Sequence, residues 1–188
     1  MAVYIIEHLE PKLFKWCLME YRNISKIVGK ENLWFTNIKR KNRNLEALGK
    51  TFKESVSCLN LTNACVLDPQ AKKTLTPEEA RQFDYFIFGG ILGDNPPRKR
   101  TTPELTSKLK YAEARNIGKK QFSTDNAVFV TKKIAEGTSL EKIRCINTLT
   151  LKINDIESIE LPYCYPLIGD KPQISEELVN YLKKKRGF

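Results

Sequence analysis

Short apolar runs alternate with amphipathic stretches along most of the chain. The runs predict strands, because about four to eight consecutive apolar residues suffice for a buried strand. They lie at residues 3–8, 32–36, 64–67 and 85–88, and we expect further strands at residues 111–116, whose composition is not strongly β, and at 142–146. Apolar residues at helical spacing predict helices at residues 11–28, 45–57, from 76 onward, 123–136 and 175–186. Strands alternating with helices predict an α/β domain with a mainly parallel sheet and helices on both faces.

Two of the predicted helices carry specific start signals. Thr76 is followed by Pro77 and, three positions after the threonine, by Glu79, which is the pattern of a capping box. The last helix, residues 175–186, begins with a serine and two glutamates and ends with basic side chains, which matches the helix dipole. Residues 149–166 carry no helical period and predict an irregular or β-rich stretch.

Residues 83–98 form the segment that says most about function. A predicted buried strand ends there in Gly89-Gly90, and Gly93-Asp94 and Pro96-Pro97 follow. Glycine lets bare backbone approach a ligand, and proline stiffens the exit of the loop. Open α/β sheets bind ligands at the carboxyl ends of their strands. A glycine pair alone indicates a turn more often than a ligand loop, so this segment is a candidate site only together with others.

Two further loops follow predicted strands in the same manner. One is residues 67–69, and the other is residues 117–124, which lead into a helix. Asp-Pro after a strand and Ser-Thr-Asp before a helix are also ordinary turn and cap residues. No G-x-G-x-x-G motif opens a helix and no Walker A loop occurs, which argues against dinucleotide binding and ATP hydrolysis.

The net charge of +10 and the isoelectric point near 9.4 favour an encounter with polyanions. RNA, a ribosome or an acidic protein patch fits this charge, and a lysine-rich solvated surface is the alternative. The basic residues nearest the candidate loops are predicted to contact substrate or RNA. They are Arg98, Lys99, Arg100, Lys119 and Lys120.

Cysteine and histidine usage argues against a metal site. The five cysteines form no C-x-x-C pair and the chain has one histidine, so we expect reduced thiols and no bound metal. The longest apolar runs are far below the roughly 20 residues that span a bilayer. The N-terminus shows neither a basic leader nor a long apolar segment. We therefore expect a cytoplasmic protein without a membrane partner.

The candidate segments together resemble the yeast-type protein-arginine methyltransferases of the SPOUT class. Their archaeal relatives are described as predicted S-adenosylmethionine-dependent RNA methyltransferases. The resemblance lies in residues 4–8, 66–69, 83–98 with Arg100 and Thr101, 118–121 and 123–125. It covers most of the chain to about Glu136 and is weak beyond Gly137.

This resemblance implies a trefoil-knotted sheet and a bent S-adenosylmethionine held by three loops. It implies one methyltransferase domain over residues 1–188, with the knotted cofactor-binding part at about 60–146 and the basic helix at about 175–186. The implied cofactor-binding residues are Leu67, Asp68, Pro69, Gly89, Gly90, Ile91, Leu92, Gly93, Ile117, Gly118, Gln121, Phe122, Ser123 and Thr124.

Methyl transfer is an in-line displacement, in which the enzyme orients a nucleophile and manages its proton. A guanidinium is held best by carboxylates, so the catalytic candidates are Asp94, Glu7 and Asp125, each with a structural role as an equal alternative. The expected substrate is an arginine of a ribosomal protein, and the partner is that protein or the ribosome, possibly through RNA. The alternatives are an RNA methyltransferase and a non-catalytic RNA- or ribosome-binding module. Monomer and homodimer both stay open.

Overall fold

The computed structural model describes residues 2–154 and 157–185, and a parallel six-stranded sheet forms its centre. The strands lie in the order β3-β2-β1-β5-β4-β6, and every neighbouring pair is parallel. Their bounds are β1 (Val3–His8), β2 (Leu33–Thr36), β3 (Lys50–Thr51), β4 (Ala64–Leu67), β5 (Tyr85–Gly90) and β6 (Glu113–Arg115). Because all strands point the same way, their carboxyl ends share one edge of the sheet.

Six α-helices connect and cover these strands in the described part of the chain. They are α1 (Lys15–Val28), α2 (Arg43–Glu46), α3 (Pro77–Ala80), α4 (Thr101–Glu104), α5 (Thr124–Ala135) and α6 (Glu176–Lys185). Short 3₁₀ turns lie at Lys30–Asn32, Val56–Cys58, Thr106–Lys108 and Leu140–Lys142. Within residues 2–154 and 157–185, none of the helices has the length and apolarity that a bilayer crossing requires.

Both faces of the sheet are covered, as the sequence predicts, but by helices of different length. Ile5 and Ile6 of β1 are fully buried and belong to two separate cores, because successive strand residues point to opposite faces. Ile6 packs with residues of the long helices α1 and α5. Ile5 packs with residues of short turns, among them Val56 and Leu105.

The region beyond α5 is rich in β-structure, as expected for residues 149–166. It contains β7 (Cys145–Ile146), β8 (Leu149–Lys152), β9 (Ser158–Leu161), β10 (Tyr165–Ile168) and β11 (Lys171–Pro172). Strands β8 and β9 form an antiparallel hairpin, and β10 pairs with both β7 and β11. A third core joins this region to α1 through Met19, which packs with Tyr165 and Leu178.

The helix predicted at residues 45–57 is wrong. The structure has the four-residue α2, then the edge strand β3, then the 3₁₀ turn Val56–Cys58. Gly49 explains part of the difference, since a Cβ at this position would collide with the carbonyl oxygen of Leu33. The chain passes this close to β2 in order to pair with it, and tertiary pairing overrides helical spacing here.

Other boundaries move by a few residues. The first helix begins at Lys15 rather than at residue 11, and the strand predicted at 142–146 is limited to Cys145–Ile146. The cap at Thr76 is confirmed, because its hydroxyl accepts a hydrogen bond from the Glu79 amide, but the helix it starts has only four residues. Strand β5 continues through Gly89 and Gly90, which pair with Glu7 and His8 instead of forming a turn.

Candidate active site

A cavity of about 570 Å³ opens at the carboxyl ends of β4, β5 and β6. Three chain segments line it, each of which leaves one of these strands. The segments are residues 67–70, 88–101 and 117–127. Three neighbouring parallel strands thus bring together the three loops that the sequence singles out.

Most of the predicted cofactor-binding residues line this cavity. They are Leu67, Asp68, Pro69, Gly89, Ile91, Leu92, Gly93, Ile117, Gly118, Gln121, Phe122 and Thr124. Residues that the sequence analysis did not assign to cofactor binding also contribute. They are Gln70, Phe88, Pro97, Thr101 and Ala127. Each of these lies next to a predicted segment or inside it, so extending the segments by a residue or two would have found most of them.

At two positions of the cavity lining, the backbone conformation or close packing favours glycine over other residues. Gly118 has a φ of +92°, a conformation that other residues rarely adopt. A Cβ on Gly93 would lie 2.8 Å from Cε1 of Tyr163, whose hydroxyl donates a 2.8 Å hydrogen bond to the Gly93 carbonyl. The loop after β5 is therefore packed tightly against the segment between β9 and β10.

Gly90 and Ser123 are not among the residues that line the cavity. A Cβ on Gly90 would collide with the hydroxyl of Tyr21 and would lie 3.0 Å from Cγ2 of Ile6. Gly90 therefore permits close packing of α1 on the sheet. Ser123 precedes α5, and its hydroxyl donates to Oδ1 of Asp125 at 2.6 Å. Both were predicted to bind cofactor, and the structure gives both packing or hydrogen-bonding roles instead.

Asp68 lies at the cavity wall, but its carboxylate is already satisfied. It is buried and accepts hydrogen bonds from the hydroxyls of Thr102 and Thr106, each at 2.7 Å, and from the amide of Gln70 at 2.8 Å. These bonds join the loop after β4 to α4 and the turn after it. The predicted contact of an Asp68 oxygen with a ligand is therefore disfavoured, because its acceptor positions serve the fold.

Asp94 is the one catalytic candidate that lines the cavity. Its side chain is about a third exposed, and its Oδ2 lies 3.4 Å from Nε of Arg98. Nε2 of Gln121 donates to the Asp94 backbone carbonyl at 3.2 Å and so links the second and third loops. The Asp94 carboxylate is thus accessible, and its position is partly fixed through its backbone.

Glu7 lies away from the cavity lining and is buried. Its carboxylate accepts hydrogen bonds from the hydroxyls of Thr36 and Ser55 and from the amide of Val56 at 2.9 Å. These bonds join β1 to β2 and to the 3₁₀ turn at residue 56. Glu7 was predicted as a catalytic candidate, and the structure favours the structural role that was its alternative.

Asp125 is buried beside a second carboxylate, Glu20 of α1. Asp125 accepts hydrogen bonds from Asn23 Nδ2 at 2.7 Å and from Ser123, while Glu20 accepts from Trp16 Nε1 at 2.7 Å and from Thr124. Burial, followed by repulsion from Asp125, raises the pKa of Glu20 to about 8. Burial also raises the pKa of Asp125.

The predicted catalytic role of Asp125 is not favoured by this position, since Asp125 does not line the cavity. Its neighbour Thr124 does, so the pair lies one residue behind the cavity wall. The sequence analysis missed Glu20, because a glutamate in an amphipathic helix is usually solvated. No signal in the sequence marks it as buried.

Four of the five predicted basic residues are exposed at the edge of the cavity: Arg98, Lys99, Lys119 and Lys120. Arg100 differs. It also lines the cavity, but its side chain is only 24% exposed and forms ion pairs with Glu104 and Glu10, which raise the pKa of its guanidinium. Arg100 was predicted to contact substrate, but its guanidinium is engaged within the protein.

The chain is similar over nearly its whole length to known proteins. The family model for protein arginine N-methyltransferase SFM1-like proteins matches residues 3–187. Protein arginine N-methyltransferase SFM1 of Saccharomyces cerevisiae is 34% identical over 201 residues, covering 96% of this chain and 94% of the relative. The crystal structure of yeast SFM1 complexed with SAM matches with a TM-score of 0.90 at 34% identity, covering 98% of this chain and 91% of that chain.

A more distant structure supports the fold alone. The crystal structure of a dual specific Trm10 from Thermococcus kodakaraensis matches with a TM-score of 0.56 at 20% identity, covering 76% of this chain and 96% of that chain. Together with the parallel sheet, these likenesses confirm the SPOUT-type α/β fold that the resemblance implied. The family match and the full-length relative show that the chain belongs to the SFM1-like protein arginine N-methyltransferase family.

Proposed function

We propose that this protein is an S-adenosylmethionine-dependent methyltransferase that modifies an arginine side chain of a ribosomal protein. The observation that carries the proposal is an accessible carboxylate, Asp94, on the wall of a cavity of about 570 Å³. The relatives support the same activity, since the yeast protein is an arginine methyltransferase with crystal structures complexed with SAM and with SAH.

The cavity fits the cofactor in size and chemistry. Ligand pockets of proteins usually enclose about 300–1,000 Å³ and have largely apolar walls with a few polar groups. Here apolar side chains from all three loops face the cavity. They are Leu67, Phe88, Ile91, Leu92, Ile117 and Phe122. These residues would cover the adenine ring, and the loop backbone would contact its polar edge. When bound, the cofactor supplies a methyl group on a positively charged sulfur.

Asp94 would orient the guanidinium of the substrate. A carboxylate accepts two parallel N–H bonds from a guanidinium and draws the positive charge toward the nitrogens that it contacts. The remaining nitrogen then keeps more of its lone pair for attack. Asp94 already contacts a guanidinium, that of Arg98, so its position is compatible with this kind of partner. The partly exposed carboxylate also offers the departing proton a route to solvent.

The exposed cations at the cavity edge support a substrate in an anionic environment. Lys119 and Lys120 lie in the loop after β6, and Arg98 and Lys99 lie in the loop after β5. A ribosomal protein surrounded by RNA provides such an environment, and the net charge of +10 favours the encounter. The same cations also favour the second candidate, methylation of RNA itself.

One experiment distinguishes protein methylation, RNA methylation and a non-catalytic binding role. Wild-type protein is incubated with S-adenosylmethionine carrying a tritiated methyl group and with whole ribosomes, and RNA is then separated from protein. We expect the label in the protein fraction. Label confined to RNA would support the RNA methyltransferase. Unlabelled fractions together with intact cofactor binding, measured by calorimetry, would support the binding module.

A further inference from the structure

We infer that Glu10 is a positioning residue for cofactor binding, because its carboxylate joins the two ends of the loop of residues 91–100. This inference deepens the proposed function and rests on it. Glu10 follows β1 and does not line the cavity. Any effect that it has on the cofactor must therefore act through the loop, which forms much of the cavity wall.

A single oxygen of Glu10 makes both connections. Its Oε1 accepts a hydrogen bond from the backbone amide of Leu92 at 3.0 Å and from Nη1 of Arg100 at 2.7 Å. Leu92 lies near the start of the loop and Arg100 at its end. The Glu10 side chain is only 9% exposed, so solvent screens this carboxylate weakly.

The other groups of Arg100 are fixed as well. Nε donates to Oε1 of Glu104 at 2.7 Å, and Nη2 donates to Oε2 of the same residue at 3.1 Å. This forked pairing holds the guanidinium against α4. The amide of Leu9 donates to the Gly90 carbonyl at 3.2 Å, which ties the segment carrying Glu10 to the end of β5. Glu10 is thus anchored to the strand from which the loop departs.

These contacts lower the entropy cost of cofactor binding. A loop held in its bound conformation loses less conformational freedom when a ligand arrives, and that saving increases affinity. The residues between the two anchored ends include Gly93 and Asp94, so the position of the Asp94 carboxylate depends on the same contacts. Loss of the Glu10 charge would leave Arg100 with one carboxylate partner and would weaken the hydrogen bonds that hold both ends of the loop.

The chain offers a matched control for a purely structural effect. Arg115 is a second arginine with two carboxylate partners, Glu79 at 3.0 Å and Glu113 at 2.6 Å, and it is buried. None of these three residues lines the cavity. Glu79→Gln therefore removes one of two carboxylate partners from an arginine, as Glu10→Gln does, but among residues that do not line the cavity.

The test measures binding of S-adenosylhomocysteine by calorimetry and thermal unfolding for wild type, Glu10→Gln and Glu79→Gln. We expect Glu10→Gln to weaken affinity about tenfold, which corresponds to about 1.4 kcal/mol. Glu79→Gln should lower the unfolding temperature to a similar extent and leave affinity unchanged. In turnover assays, Glu10→Gln should raise KM for the cofactor more than it lowers kcat.

A double substitution tests whether the two groups act together. If Glu10 acts through Arg100, then Glu10→Gln combined with Arg100→Gln should weaken affinity by less than the sum of the single effects. Wild-type affinity in folded Glu10→Gln would overturn the inference, and so would an equal loss in Glu79→Gln. Absence of binding by the wild-type protein would instead overturn the proposed function, and with it this inference.

Discussion

At the scale of single residues, the carboxylates near the cavity differ in how many hydrogen bonds they already accept. Asp68 accepts three, from Thr102, Thr106 and Gln70. Asp94 contacts the exposed Arg98 at 3.4 Å. Exposed pairs of this kind contribute little, typically about 0–1 kcal/mol. Asp94 can therefore exchange this partner for a substrate guanidinium at small cost, whereas Asp68 cannot release its partners without disturbing the fold.

The first prediction concerns Asp94→Asn, which keeps the shape of the side chain and removes its charge. Loss of a charge-assisted hydrogen bond costs roughly 1.5–3 kcal/mol, so turnover on an arginine substrate should fall by about ten- to hundredfold. Cofactor affinity should change less. Initial rates and calorimetry measure the two effects. Asp84→Asn is the control, since Asp84 is an exposed aspartate that does not line the cavity; an equal rate loss there would contradict the assignment.

The second prediction concerns Gly90→Ala. The added Cβ meets the Tyr21 hydroxyl and Ile6, so α1 or the sheet must shift. Overpacking in a core typically costs about 1–3 kcal/mol, and we expect a loss of that order in the free energy of unfolding by urea. Affinity of the folded variant for S-adenosylhomocysteine should stay close to that of the wild type. A large loss of affinity without a loss of stability would place Gly90 at the cavity after all.

The sequence predicted which three loops line the cavity, because each loop follows a strand. It was less accurate about which residues within a segment face the cavity. The three loops come together because parallel strands share one carboxyl edge, which the pattern implied. Gly89 and Gly90 were assigned the same role, yet neighbouring residues of a strand face opposite sides, and only Gly89 lines the cavity. The partners of Glu7 and Glu10 are distant in sequence, and so are Thr124 and Asp125 beside Glu20, so no local pattern reveals these contacts.

At the scale of elements, the buried pair of Glu20 and Asp125 links α1 to α5. The pKa of Glu20 is raised from 4.5 to about 8 by burial and by Asp125. Between these two pH values the folded protein keeps a proton that the unfolded chain has released. Stability should therefore fall as pH rises through this window, by up to about 1.4 kcal/mol for each pH unit.

The third prediction compares the wild type with Glu20→Gln, which keeps an acceptor for Trp16 but does not titrate. The variant should gain stability relative to the wild type as pH rises from about 5 to 8. His8 acts in the opposite direction near its ordinary pKa of 6.5, since burial lowers its pKa, but it is present in both proteins and cancels in the difference. Urea unfolding at several pH values measures this difference, and a constant difference would contradict the prediction.

Local propensity was a poor guide to the elements at the edge of the sheet. Residues 45–57 have helical spacing, but the backbone of β3 pairs with β2 and Gly49 approaches Leu33 closely. Long-range pairing decided the structure there. The long helices α1 and α5 were predicted to within a few residues. Their apolar faces cover the sheet, so the helical spacing of apolar residues is visible in the sequence.

At the scale of the whole molecule, the net charge of +10 is expected to attract the protein to the ribosome. The fourth prediction concerns Lys119→Gln combined with Lys120→Gln, two exposed lysines at the cavity edge. Binding to ribosomes should weaken, and its dependence on salt should become shallower, because fewer counterions are released. Lys26→Gln combined with Lys30→Gln removes the same charge from exposed positions that do not line the cavity. Equal effects would indicate attraction by net charge alone.

The α/β architecture followed from the alternation of strands and helices, and its assignment to the SPOUT type followed from the resemblance. The trefoil knot, the division into one domain and the choice between monomer and homodimer stay predictions. The knot was beyond sequence pattern, because periodicity says which residues are buried but not the order in which the chain passes through its own loops.

The proposed methylation of arginine is tested most directly by identifying the methylated residue. Wild-type protein and Asp94→Asn are each given ribosomes and tritiated S-adenosylmethionine, the protein fraction is hydrolysed completely, and the amino acids are separated by chromatography. We expect the label to elute as methylarginine for the wild type and to fall by about ten- to hundredfold for Asp94→Asn. Label in another amino acid, or equal methylarginine from both proteins, would contradict this expectation.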